Sequence, residues 1–491
     1  MKKRTKLILL LLSLCMLLTA FAGCGKKTTN DPAQDTAPTT TTGGGETEEV
    51  LIEPEFPDVT FYREIGVLQR DIAPLEEWNA EEENNAVLEQ ALIEKIGYLK
   101  DKYGIEFSYY YASDSEMNEK VANSIQSQFM AYDMISYAPL HLMALANKAL
   151  LRPLQSVENV DLSNPWWSQQ VNDRWAYKGN NFFVVGNSNL NANWRTSGVF
   201  FNKTLAERIG VNASGLYKLV FDHTWTLEKM LEFGELATLD SGDGTTVVTE
   251  NDTFGVLQTN GWYPAIMGSG LTLASVDDEG KFVVNTVDQT LIGQVEKLIN
   301  YMNDIDIALP LSAGIDQWNH FCNGKGLFLV EGIAVSKVAR ASDVDYGILP
   351  SPLGEAGQAE YHNFVHHGHS SATAVPTDVA EDDLTMIGAL LEEANYISRK
   401  EIWPAFYNTL MKGQIARDPE SAEVLDIIFD SMSTDIGIVY GDRIDNAIRD
   451  MVTNNKYSEV ASTLGTKATE MQTVLDLVNE YYETAIASYV S

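Results

Sequence analysis

Four histidines crowd between Tyr361 and Ser371: His362, His366, His367 and His369. Imidazole rings this close can ligate zinc or copper, or exchange hydrogen bonds with a polar guest. No HExxH pair or paired cysteines accompany them. His366 and His367 are candidates to hydrogen-bond a ligand, with an incidental loop and a metal site as the alternative readings. Amphipathic aromatics form the second group. Trp194 and Arg195 close the Asn-rich run that starts at Asn187, too polar for a core strand and placed just before an apolar one. Trp262 and Tyr263 follow Asn260-Gly261 and precede Gly268-Ser269-Gly270, where glycines permit close backbone approach. Trp318 sits in Asp316-Gln317-Trp318-Asn319-His320. Rings of this kind suit the flat C–H faces of a polyhydroxylated ligand, and amides and charged groups suit its hydroxyl rim. The competing readings are a surface turn for Trp194 and a packed helix start for Trp318.

Other chemistry finds less support. Asp240, Asp243 and Glu250 resemble part of a calcium loop, but aligning Asp243 with the fifth position puts Leu239 at the first, and leucine cannot ligate. A degenerate tight turn is expected there, with no metal. There is no nucleophile elbow, Walker loop or dinucleotide fingerprint, and no cofactor is expected. With 69 carboxylates, no pair can be singled out as catalytic without geometry.

The composition narrows the partners. The chain has 491 residues and a formal net charge of −35, which excludes nucleic acid, because phosphate binding needs clustered cations. An acidic surface keeps a protein soluble and argues weakly against a polyanionic ligand, although a local basic pocket overrules a global sum. Lys2, Lys3, Arg4 and Lys6 precede an apolar run from Leu7 to Ala22, the order of a secretory signal. The run is shorter than the roughly 20 residues of a membrane span and ends at Ala22-Gly23-Cys24. That ending resembles a lipobox, in which Cys24 becomes the lipidated first residue. Residues 1–23 then form the leader and 24–57 a Thr-, Pro- and Gly-rich tether with little to bury. Cys322 alone remains as a thiol in the folded part, so no internal disulfide is possible.

The elements that must position these residues alternate. Val59 to Val67, Ile105 to Tyr111 and Tyr132 to Tyr137 read as strands; Trp78 to Lys100, Ser115 to Met130 and Leu140 to Ala149 read as helices. A βαβαβ run implies a largely parallel sheet covered by helices, whose ligands collect at the carboxyl ends of the strands. Tyr137, at the carboxyl end of a strand, is thereby a candidate. Thr196 to Phe201, Gly326 to Val335 and Tyr346 to Leu349 are extended, Thr226 is a plausible N-cap, and the last quarter is helical.

Tyr132-Asp133-Met134-Ile135-Ser136, Leu150-Leu151-Arg152-Pro153-Leu154, Asn164-Pro165-Trp166-Trp167, Val199-Phe200-Phe201-Asn202-Lys203-Thr204-Leu205 and Tyr346-Gly347-Ile348-Leu349-Pro350 occur in that order. The ordered set resembles the family 1 extracellular solute-binding proteins. The resemblance implies an α/β fold of two lobes joined by a hinge, with the ligand in the cleft between them. It places the first lobe at 58–164 plus 311–371 and the second at 165–310 plus 372–491, and makes Trp166 and Trp167 structural. It further implies a non-catalytic lipoprotein, monomeric, on the outer face of the bacterial cytoplasmic membrane, that delivers a carbohydrate to ABC transporter permeases. A lipid-anchored glycan-degrading enzyme and a sensor subunit for a membrane kinase are the alternatives.

Overall fold

The computed structural model describes residues 51–56, 59, 63–71, 77–78, 86–242, 248–259, 262–440 and 442–490. The expected leader, Cys24, the tether up to residue 50, and Asp243 lie outside them. The folded part begins earlier than the expected Asp58. Leu51 and Phe56 pack on the first core, and Glu53 accepts a hydrogen bond from the Tyr98 hydroxyl at 3.3 Å.

Twelve strands are described: β1 (Glu64–Arg70), β2 (Glu106–Ala112), β3 (Met134–Tyr137), β4 (Ser197–Asn202), β5 (Phe254–Gln258), β6 (Ala274–Val276), β7 (Phe282–Val284), β8 (Gly326–Gly332), β9 (Tyr346–Leu349), β10 (Asn363–Phe364), β11 (Ala372–Ala374) and β12 (Met432–Ser433). They form two four-stranded sheets and two small pairs. In the first sheet β1 lies between β2 and β3, parallel to both, and β11 adds antiparallel to β3. Ile65, Val67 and Leu68 on β1 are fully buried, because helices cover both faces as the near-continuous apolar run requires. The helix expected from Trp78 runs Ala86–Tyr103 and buries Leu88, Leu92, Lys95 and Leu99 at three- and four-residue steps. Trp78 itself is buried with the Lys95 ammonium over its ring.

The second sheet runs β5-β8-β4-β9, with β5 parallel to β8 and the other pairs antiparallel. Here the expected lobe partition needs correction. β8 and β9 lie within 311–371, expected in the first lobe, yet they pair with β4. β11, grouped with the second lobe, pairs with β3. The helix Glu381–Ile397 likewise packs Leu384, Ile387 and Leu391 into the core of the first sheet. Sequence order misled because antiparallel neighbours can come from distant segments. The Leu227–Ala237 helix is capped by Thr226, whose hydroxyl accepts from Lys229 N at 3.2 Å. It lies so close to β5 that a Cβ on Gly255 would stand 2.1 Å from Gly234 Cα.

The chain passes between the sheets where Thr196 bridges Val365 and β10 pairs with β12. Two buried carboxylates tie these passages down. Glu77 accepts from Asn191 N at 2.7 Å, Ser371 Oγ at 2.6 Å and Ser136 Oγ at 3.0 Å, linking β3 to the segments before β4 and before β11. Burial raises its carboxyl pKa and pushes the nearby Lys95 down to about 8. Glu392 accepts from the indoles of Trp166 at 2.7 Å and Trp167 at 2.9 Å, which gives both tryptophans a structural place. Among the described residues no helix is long and apolar enough to cross a membrane.

Candidate functional site

The carboxyl ends of parallel strands from both sheets point toward the histidine segment. β1 ends at Arg70, whose Nη1 donates to Gly368 O at 3.0 Å and lies 3.3 Å from His369 Nδ1. Asp114, two residues beyond β2, pairs with Arg70. Tyr137, the last residue of β3, is almost fully buried; its hydroxyl lies 2.8 Å from Ala112 O and 3.1 Å from Asp114 Oδ1. Tyr137 thus positions Asp114 rather than presenting its own ring.

On the second sheet, Thr259 follows β5 and Glu331 lies at the end of β8. Glu331 accepts from the Trp318 indole at 3.1 Å, from Thr259 Oγ1, and from Gly332 N at 3.0 Å. These residues, with Arg195, Ser197, Pro264, Val330, Phe364, His366 and His369, line a cavity of about 170 Å³. Trp318 is half-buried there because the Gln317–Cys322 helix, capped by Asp316, turns its first residues toward β8.

The histidines are held close together. His366 N donates to Arg195 O at 3.1 Å, and His366 Nδ1 accepts from Gly368 N at 3.1 Å. The His366 ring stacks on His367 at 5.2 Å and lies 4.5 Å from His369. Burial, then the neighbouring imidazoles, holds His366 well below the usual histidine range; burial, then His369, brings His367 down to about 4. Burial, then Arg70 and Arg195, lowers His369 as well. At neutral pH all three are therefore uncharged imidazoles that both donate and accept. His362 stands apart, beside Gly270. Among the described residues no three His, Cys, Asp or Glu side chains converge as a metal site.

Of the residues expected to meet a ligand, Arg195, Trp318 and His366 come together on one cavity. His367 and Tyr263 form a layer behind it: Tyr263 packs on Phe364 at 5.1 Å and edge-on to His367 at 5.7 Å. Trp262 is buried beneath them, with the Arg449 guanidinium 5.3 Å from its ring centroid. Trp194 is not at the cavity. It is 1% exposed, edge-on to Phe406 at 5.1 Å, because the Asn-rich run coils into the short Leu190–Trp194 helix and turns the indole inward. Asn187 lines a different cavity of about 250 Å³, with Trp166, Asn193, Arg399, Trp403 and Asp430. Of the calcium-like turn, the described residues are tied by side-chain to backbone bonds. Asp240 Oδ1 accepts from Gly242 N at 2.7 Å, and Asp252 accepts from Ser241 N at 2.9 Å and Thr249 N at 2.7 Å.

Sequence reasoning missed Arg70, Asp114, Thr259 and Glu331. All four stand at or just after the carboxyl ends of parallel strands, a signal readable only once the pairing is known.

The family model of bacterial extracellular solute-binding proteins matches residues 79–389. Among solved structures, the fold is similar to that of the sugar-binding protein MalE from the phytopathogen Xanthomonas citri: TM-score 0.58, 12% identity, covering 84% of this chain and 97% of that one. UspC of M. tuberculosis gives 0.54 at 18% identity over 84% and 100%. An ABC substrate-binding protein from Listeria monocytogenes, in complex with cycloalternan, gives 0.52 at 16% over 86% and 99%. No curated protein sequence matches the chain. The structural likeness covers a larger share of the chain than the family match does. With that match covering well over half of the sequence, the chain belongs to the bacterial extracellular solute-binding proteins.

Proposed function

We propose that this chain captures a carbohydrate outside the cytoplasmic membrane and delivers it to the permeases of an ABC importer, held at the membrane by a lipid on Cys24. The observation that carries the reading is the meeting of strand ends from both sheets, Arg70 and Asp114 on one side and Thr259 and Glu331 on the other, around one histidine segment. A ligand seated there touches the second half and the histidine segment on which Arg70 of the first half closes, so binding is expected to favour the closed arrangement over the open one. The Trp318 ring offers a face for sugar C–H groups; Glu331, Thr259 and the neutral imidazoles offer acceptors and donors for hydroxyls. The moving halves in this reading are the first sheet with 372–397 and the second sheet with 196–364.

The fold neighbours support the ligand class: one is described as sugar-binding and another was solved in complex with cycloalternan. The family's extracellular character agrees with the basic-then-apolar leader and the lipobox-like ending at Cys24. Titration calorimetry of the mature chain against a panel of oligosaccharides tests the proposal. It predicts saturable heat with at least one glycan and no release of reducing ends; cleavage of the glycan, or heat with none, contradicts it.

A further inference from the structure

Arg195 lines the cavity half-buried, and its Nε is buried with no hydrogen-bond partner. Among the described residues, its guanidinium makes no hydrogen bond and no ion pair. Arg70 lacks a partner only at its own Nε; its other nitrogens reach Asp114, Gly368 O and His369. The carboxylate nearest in effect to Arg195 is Glu331, which is already engaged by Trp318, Thr259 and Gly332. Guanidinium N–H groups partly withdrawn from water and without a hydrogen-bonded partner are costly, and such groups are ordinarily paired. The guanidinium fork matches the two oxygens of a carboxylate, sulfate or phosphate, and it is weakly hydrated enough to desolvate for one.

We infer that the solute carries an acid group on its sugar, and that Arg195 is the residue that receives it. This rests on the reading of the cavity as a carbohydrate site and adds the ligand's charge to it. The acidic balance of the whole chain, −35, does not oppose it: exposed carboxylates further than about 10 Å are largely screened at 0.1 M salt, whereas the bound oxyanion touches the guanidinium. The bound acid would complete a row from Arg195 through His366 and His369 to Arg70, spanning from the second sheet to the first.

The test is calorimetry of the mature chain with matched pairs: oligogalacturonides against galactose oligomers, and glucuronate-containing against glucose oligomers. Sulfated and phosphorylated sugars form separate arms that identify the oxyanion, and inorganic phosphate asks whether the anion alone suffices. In at least one pair or arm, the acidic member is expected to bind tenfold or more tightly than its neutral partner. Arg195→Gln is expected to erase that ratio while leaving the unliganded melting temperature within a degree or two, and Arg195→Lys to recover part of it. Equal or tighter binding of the neutral partner throughout, or a ratio unchanged in Arg195→Gln, overturns the inference and leaves the carbohydrate reading standing. Absence of binding by every glycan, neutral and acidic, overturns both.

Discussion

The side chain of Arg70 closes on the backbone of Gly368, Nη1 to O at 3.0 Å. That contact joins the carboxyl end of the first sheet's central strand to the histidine segment lining the cavity of the second. Its consequence is that the cavity's geometry depends on both halves at once. Arg70→Ala is expected to weaken ligand binding roughly tenfold without touching Arg195, Trp318 or Glu331. Calorimetry on the variant, beside a circular-dichroism melt that stays near wild type, checks it.

Two tryptophans that look alike in sequence should separate cleanly in experiment. Trp318 is half-buried on the cavity, so Trp318→Ala should cost about 10- to 100-fold in affinity and little stability. Trp194 is packed against Phe406 with the Lys337 ammonium 4.0 Å from its ring centroid. Trp194→Ala should therefore cost about 3–5 kcal/mol of stability, read as a shift in the urea midpoint. The reverse pattern would refute the placement of both residues.

Glu392 is 1% exposed and accepts four hydrogen bonds, from the indoles of Trp166 and Trp167, Asn164 Nδ2 at 3.0 Å and Asp161 N at 2.7 Å. Replacing one carboxylate oxygen by an amide sets N–H against N–H. Glu392→Gln is expected to lose about 3 kcal/mol, and a melting curve superimposable on wild type would contradict the role given to this carboxylate.

The sequence made the alternation of elements and the first parallel sheet readable, because βαβ units keep strand neighbours close along the chain. Thr226 was legible as a cap for the same local reason. The lobe partition was not, since β4 pairs with β8 and β9 from more than a hundred residues away, and nothing local encodes that pairing. The candidate site was legible in part. Arg195, Trp318 and His366 stood out by residue type and setting, whereas Glu331 and Thr259 are ordinary residues made special by the strand ends they occupy. Trp194 misled because a polar neighbourhood looked like a surface; its asparagines are themselves buried, Asn189, Asn191 and Asn193 all being less than a tenth exposed.

His367 sets an acid limit. Its folded pKa of about 4 lies below the unfolded histidine value of about 6.5. The neutral ring therefore contributes stability that is fully present above pH 6.5 and lost as pH falls through 4. The difference between wild type and His367→Gln should shrink by about 3 kcal/mol across that window. An NMR titration of the His367 ring protons with a midpoint near 6.5 would contradict the burial that causes it.

The central claim is that one solute bridges the ends of both sheets. Hydrogen–deuterium exchange of the mature chain, with and without a saccharide that binds it, tests this most directly. The account predicts that a single ligand slows exchange together at Arg70, at Arg195 to Ser197, at Glu331 and Gly332, and at His366 to His369. Protection confined to one sheet, or centred on the cavity of Trp166, Trp403 and Asp430, would contradict it.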